Sequence, residues 1–134
     1  PNISKSQIFI YLKSVGLEPS INSLPLGLNT HVFPSGYPLY KNEILLLKLA
    51  VALAAKPYVL VLTDIYDTLP DKNLENVLKL LCDQNKFTFI YFTQSKKWDF
   101  FEHYLLMNND KTNQFKSMSE LHDFSRNYIL ETGK

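Results

Sequence analysis

The stretch KPYVLVLTDIYDTLP, residues 56–70, carries the fold class of this chain. Pro57 stops any helix that precedes it, because proline has no backbone donor and its ring clashes with the previous turn. Residues 58–62 are five consecutive apolar residues rich in β-branched and aromatic side chains, with no polar residue alternating between them. That pattern predicts a parallel-sheet strand covered on both faces. The strand closes on the polar pair Thr63-Asp64, and Leu69-Pro70 prepares the start of a helix.

Working outward toward the C-terminus, Leu74, Val77, Leu78 and Leu81 recur at helical spacing, which predicts an amphipathic helix over residues 71–84. Residues 87–92 repeat the buried-strand pattern. A short helical turn is expected over residues 98–101 and a third strand over residues 104–107. Asn109-Asp110 reads as a tight turn leading to a weaker strand over residues 113–116. Ser117 or Ser119 then caps a final helix reaching about Glu131. Strand, helix, strand, helix, strand is the order of an α/β domain with a parallel sheet.

On the N-terminal side, a helix is expected over residues 42–55, and from Ile44 onward it is apolar on every face except at Lys48. This predicts a core helix buried on nearly all sides and too short to cross a bilayer. Residues 17–40 hold Pro19, Pro25, Pro34, Pro38, Gly27 and Gly36, a density of breakers that predicts turns and short extended pieces. Before them, Ser4 and Gln7 have capping-box spacing, Ile3 and Ile8 are placed for a staple, and Ile8, Leu12 and Val15 recur up to Gly16. The reading divides the chain into a helical part, residues 1–56, and an α/β part, residues 57–134.

Composition narrows the function. The chain has 134 residues with 46% hydrophobic and 20% charged side chains, enough to build one domain with a real core. Fourteen basic residues against 13 acidic leave a net charge of +1, and Arg126 is the single arginine, which argues against a nucleic-acid partner. Cys82 is the single cysteine and excludes a disulfide framework or a multi-cysteine zinc site. No run of about 18 apolar residues is present, so no transmembrane segment is expected in this chain, and no signal peptide is seen. The start at Pro1 without methionine hints at a piece of a longer protein, and the Lys- and Asn-rich composition suits an AT-rich bacterial genome.

In open parallel sheets, ligands bind beyond the carboxyl ends of the strands. If the two strands are neighbours, Thr63-Asp64 and Thr93-Gln94 converge on one crevice. Asp64 and Asp67 then suit a divalent cation, or Asp64 suits orienting a water; the commoner role of such residues is to open a loop and cap the next helix. Neither GxxxxGK[ST] nor GxGxxG occurs, so no phosphate-binding loop is present. His31, His103 and His122 lack metal-ligand spacing, and no metal site is expected. Cys82 reads as a small buried hydrophobe. Lys96, Lys97 and Trp98 read as a base- or phosphate-contacting cluster or, more commonly, a solvated lysine pair beside a buried ring.

The segment LPLGLNT at residues 24–30, Gly36-x-x-Leu39, AVAL at residues 50–53, Pro57 and the strand at 58–62 follow one order. Together they resemble the ATPase domain of ATP-binding cassette (ABC) transporters, exporter type, with its pattern LPxGLxT…GxxLSGGQxQRxxxARAL…P, four apolar residues, DE…SALD. The resemblance covers nearly the whole chain but only the C-terminal half of such a domain. It implies a helical signature subdomain followed by the C-terminal part of a RecA-like P-loop NTPase parallel sheet, with the Walker A half absent.

The resemblance also implies a degenerate site. The SGGQ signature falls on Tyr40, Lys41, Asn42 and Glu43, and bulk there closes the approach of backbone amides to a partner's γ-phosphate. The family's arginines fall on Leu46 and Val51, its metal-binding aspartate on Thr63, its catalytic glutamate on Asp64 and its switch histidine on Gln94. The SALD loop falls on Asp67, Thr68, Leu69 and Pro70, keeping only Leu69. The implied function is a non-hydrolysing nucleotide-binding-type domain at the cytoplasmic face of a membrane. It would pair with a second ABC ATPase domain and couple to a transmembrane transporter subunit or fused membrane domain. No cofactor is implied for this chain, and Mg-ATP only for the longer parent. The alternative is a protein-interaction or scaffold module that reuses the fold without nucleotide. A true ATPase needs the missing half and rescue by Asp64 and Gln94. A lone second half also lacks the strand that normally lies between its own strands, which implies repacking or dimerisation through an exposed sheet edge.

Overall fold

The computed structural model describes residues 3–132. The protein mixes helices and strands around a small parallel sheet. It divides into two compact units that meet in sequence at Thr93 and Gln94, so the boundary expected at residue 56 falls inside the first unit.

The first unit opens with α1 (Lys5–Ser14). Ser4 and Gln7 form the capping box that the sequence announces, with the Ser4 amide donating to Gln7 Oε1 and the Gln7 amide to Ser4 Oγ. The helix ends in a Schellman motif: Leu17 N–H reaches Leu12 O, Gly16 N–H reaches Lys13 O, and Gly16 takes φ of +82°. Leu12 and Val15 are buried, whereas Ile8 stays exposed. A short helix α2 (Glu18–Ser23) follows where only turns and extended pieces are expected, and a 3₁₀ turn η1 (Gly27–Asn29) comes after it. Pro19 explains the difference, since a proline in the first helical turn gives up a donor that has no partner there anyway.

Helix α3 (Lys41–Ala54) buries Leu45, Leu46, Leu49, Ala50 and Leu53. It is not covered all round: Val51 is 63% exposed. Strand β1 (Val59–Leu62) and β2 (Thr88–Tyr91) then pair in parallel, Val59 with Thr88 through Leu62 with Tyr91. Between them α4 (Asp71–Cys82) lays Leu74, Val77, Leu78 and Leu81 into the core, the four residues its periodicity selects. Cys82, at its end, is half-buried.

Two expectations about the sheet are corrected. β1 alternates instead of being buried on both faces: Leu60 and Leu62 point inward, while Val59 and Val61 are 53% and 48% exposed. A run of valines and leucines records β preference, but only neighbouring layers decide which faces are covered. The parallel sheet also has two strands and not three. β3 (Tyr104–Asn108) pairs antiparallel with β4 (Lys111–Phe115) in a separate hairpin, turning at Asn109 with φ of +34°.

In the second unit α5 (Met118–Thr132) is capped by Ser117, whose Oγ accepts the Glu120 amide. Tyr104, Met118 and Leu121 form its core with Phe101, Leu106 and Phe115 packed against them. The helical turn expected over residues 98–101 is absent, and the segment is irregular. There the Phe101 amide donates to the Tyr104 hydroxyl and the Phe100 and Phe101 rings stack, so side chains satisfy what a helical turn would otherwise supply. Trp98 is buried in the same unit, beside exposed Lys96 and Lys97.

Candidate functional site: the loop after the first strand

Parallel pairing of β1 with β2 makes their carboxyl ends neighbours. After β1 the chain enters η2, a tight 3₁₀ segment over Asp64–Thr68. Two tyrosines fix it from opposite sides. Tyr66 is buried and donates its hydroxyl to the Leu45 carbonyl at 3.2 Å, tying the segment to the middle of α3. Tyr91, the last residue of β2, donates a hydrogen bond to Asp67 Oδ1. Thr93 Oγ1 reaches both carboxylate oxygens of Asp67, at 2.8 Å each.

The Asp67 carboxylate is therefore the centre of the cluster, and its oxygens are engaged by two hydroxyls. Burial, then the Asp67 carboxylate beside it, pushes the Tyr91 phenol well above the usual tyrosine range. Burial alone raises Tyr66. Both groups thus stay protonated donors at neutral pH, and the arrangement suits holding a loop in place. Ionised phenols there would lose these bonds and, at Tyr91, face a carboxylate.

The sequence-predicted residues distribute unevenly. Thr93 meets Asp67, which lies in the segment after β1 and is not among the four side chains expected to converge. Thr63 and Asp64 lie at the same strand end but are exposed. Gln94 is exposed and opens the second unit. Tyr66 and Tyr91 are not picked out by sequence reasoning. The available signal was a tyrosine one place before Asp67 and another two before Thr93.

At the start of α3, Tyr40 and Glu43 form a capping contact. The Tyr40 amide donates to Glu43 Oε2 at 2.8 Å, so a carboxylate sits on the positive end of the helix. The Tyr40 ring is 79% exposed. Leu39 and Leu69 are buried, and a Cβ at Gly36 would run into the Ile44 side chain. Of the two arginine positions, Leu46 is in the core and Val51 on the surface.

The remaining candidates stay separate. His31 packs edge-on against Phe33, His103 Nδ1 lies 3.4 Å from Gln114, and His122 Nε2 lies 3.2 Å from the Lys96 carbonyl. Among the described residues no cluster of His, Cys, Asp and Glu could hold a metal ion, and no helix is long and apolar enough to cross a membrane. A shallow cleft of about 290 Å³ opens between the end of α1 and α4, lined by Lys13, Ser14, Gly16, Asn73 and Asn76. None of the sequence-predicted site residues lines it. No family model matches the chain, and no curated protein matches it.

Proposed function

We propose that this chain is the C-terminal part of an ABC-type nucleotide-binding domain, RecA-like in its parallel sheet, that has lost hydrolysis and transmits conformational change. In this role it pairs with a second ATPase domain and with a membrane subunit. Glu43 carries the proposal: its carboxylate caps the amide end of α3, where the resemblance implies a phosphate. A carboxylate already bound there satisfies a donor and repels an incoming anion.

The strand-end cluster supports the same reading. Asp67 is engaged by Tyr91 and Thr93, Thr63 brings no carboxylate, and Asp64 stands exposed; among the described residues no group of three or more His, Cys, Asp or Glu could hold a metal ion. These residues do not fit the hydrolysis of Mg-ATP. What they do fit is a rigid relay. Tyr66 links η2 to α3, and Asp67 links it to the end of β2, so a push on the helix reaches the sheet.

The test is calorimetric titration with Mg-ATP followed by a turnover assay, on the full-length gene product. Binding without turnover is the expected result, with turnover restored only when Thr63→Asp, Asp64→Glu and Gln94→His are combined with a glycine-containing signature at Tyr40–Glu43. Turnover by the unmutated protein would refute the reading. Absence of binding favours the scaffold alternative, to which the exposed rings of Phe33, Tyr37 and Tyr40 already point.

A further inference from the structure

The outer edge of β1 is open and apolar. Tyr58 O accepts from Thr88 N and Leu62 O accepts from Phe92 N, so the even-numbered residues of β1 turn their backbone groups toward β2. By the alternation of a strand, Val59 and Val61 turn theirs away, toward the other side. Among the described residues that side carries no strand, since the sheet ends at β1. Tyr58 is 91% exposed, and the Val59, Val61 and Ile90 side chains are exposed together on one face of the sheet. Residues 57–63 contain no charge, no glycine and only an initial proline. A two-stranded sheet is marginal by itself, and an uncharged β-rich edge is a template for another strand.

Which strand it takes follows from the flanking charges. Lys56 stands four positions before Leu60 and Asp64 four positions after it, both exposed. Let two copies of β1 meet antiparallel about a two-fold axis through Leu60. Val59 then lies opposite Val61 of the second copy, and both have their backbone groups turned to the interface, so each such pair exchanges two hydrogen bonds. The same register sets Lys56 at the end where the second copy brings Asp64, and the reverse at the other end. Centring the pairing on Val59 would oppose Val61 with Pro57, which has no donor, and centring on Val61 would bring Asp64 against Tyr58.

We propose that β1 is a self-association edge: two copies of this chain join β1 to β1 antiparallel, centred on Leu60, into a continuous sheet of order β2-β1-β1-β2. The interface is isologous and closes at two copies. It stands on the edge geometry and charge pattern, independently of the nucleotide-binding reading.

Sedimentation equilibrium over a concentration series tests it, with amide exchange read at Val59 and Val61. The expected mass rises from 15.5 kDa toward twice that value, and exchange at the two valines slows as concentration rises. Replacing both valines by lysine (Val59→Lys with Val61→Lys) sets like charges opposite one another and weakens the dimer by about tenfold or more. The matching double glutamate variant behaves likewise, and mixing the two variants restores association, which also shows that both fold. Lys56→Glu or Asp64→Lys alone weakens the dimer, and the two together recover it. A monomer at every concentration, a dimer indifferent to the double lysine variant, or exchange at Val59 and Val61 independent of concentration would each overturn the proposal.

Discussion

Removing one hydroxyl tests whether the Asp67 cluster holds the loop. In Tyr91→Phe the ring stays, so packing is preserved, and only the bond to Asp67 Oδ1 is lost. Hydrogen bonds to charged acceptors contribute about 1.5–3 kcal/mol. The group is half-buried and Thr93 still holds both Asp67 oxygens, which places the cost at the low end, about 1.5 kcal/mol. For a chain of this size that corresponds to a fall in Tm of about 5 °C. The pH dependence carries the sign. The folded-state pKa of Tyr91 is raised above its unfolded value near 10, so its contribution is complete below pH 10 and is lost as pH rises through the folded value. Urea unfolding at pH 7 and at pH 11 therefore separates a hydrogen bond from mere packing: the deficit of Tyr91→Phe relative to the wild type is full at pH 7 and shrinks in alkali. Thr93→Val completes a double-mutant cycle, with a coupling of about 0.5 kcal/mol or more expected through the shared carboxylate. A deficit under about 0.5 kcal/mol at pH 7, or one equal at both pH values, would refute this account of the cluster.

Two further substitutions probe the framework. Gly36→Ala combines a φ of +92° with a collision against Ile44 and is expected to cost about 2–4 kcal/mol; adding Ile44→Ala relieves the collision but leaves the backbone strain of about 1–2 kcal/mol, measurable by denaturant unfolding. Glu43→Ala removes the carboxylate from the Tyr40 amide and is expected to lower stability by about 0.5–1 kcal/mol, while raising the affinity of the α3 end for inorganic phosphate, read by calorimetry.

The local elements were legible because their signals are local. Ser4 with Gln7, Ser117 before its helix, and the four leucine and valine positions of α4 each declare themselves within one or two turns of chain. The strand identities of residues 59–62 and 88–91 follow equally from composition. The sequence places Thr93 at the strand end, but its partner Asp67 is not among the four side chains expected to converge there. The anchors of the site were not legible. Tyr66 and Tyr91 look like ordinary core aromatics in the sequence, and their hydroxyls acquire partners 21 and 24 residues away only when α3, η2 and β2 are placed together.

Tertiary structure alone decided which faces are covered. A five-residue apolar run predicts a doubly buried strand, yet Val59 and Val61 face outward because burial depends on the layer above and not on the strand itself. The third strand kept its predicted place in the chain and lost its predicted partner, since a hairpin of short loop closes at less entropic cost than a distant parallel crossover. The sequence by itself determined most of the helices and strands, though not α2 or the irregular segment over residues 98–101. Long-range packing determined what each one pairs with, which surfaces stay open, and which carboxylate is held.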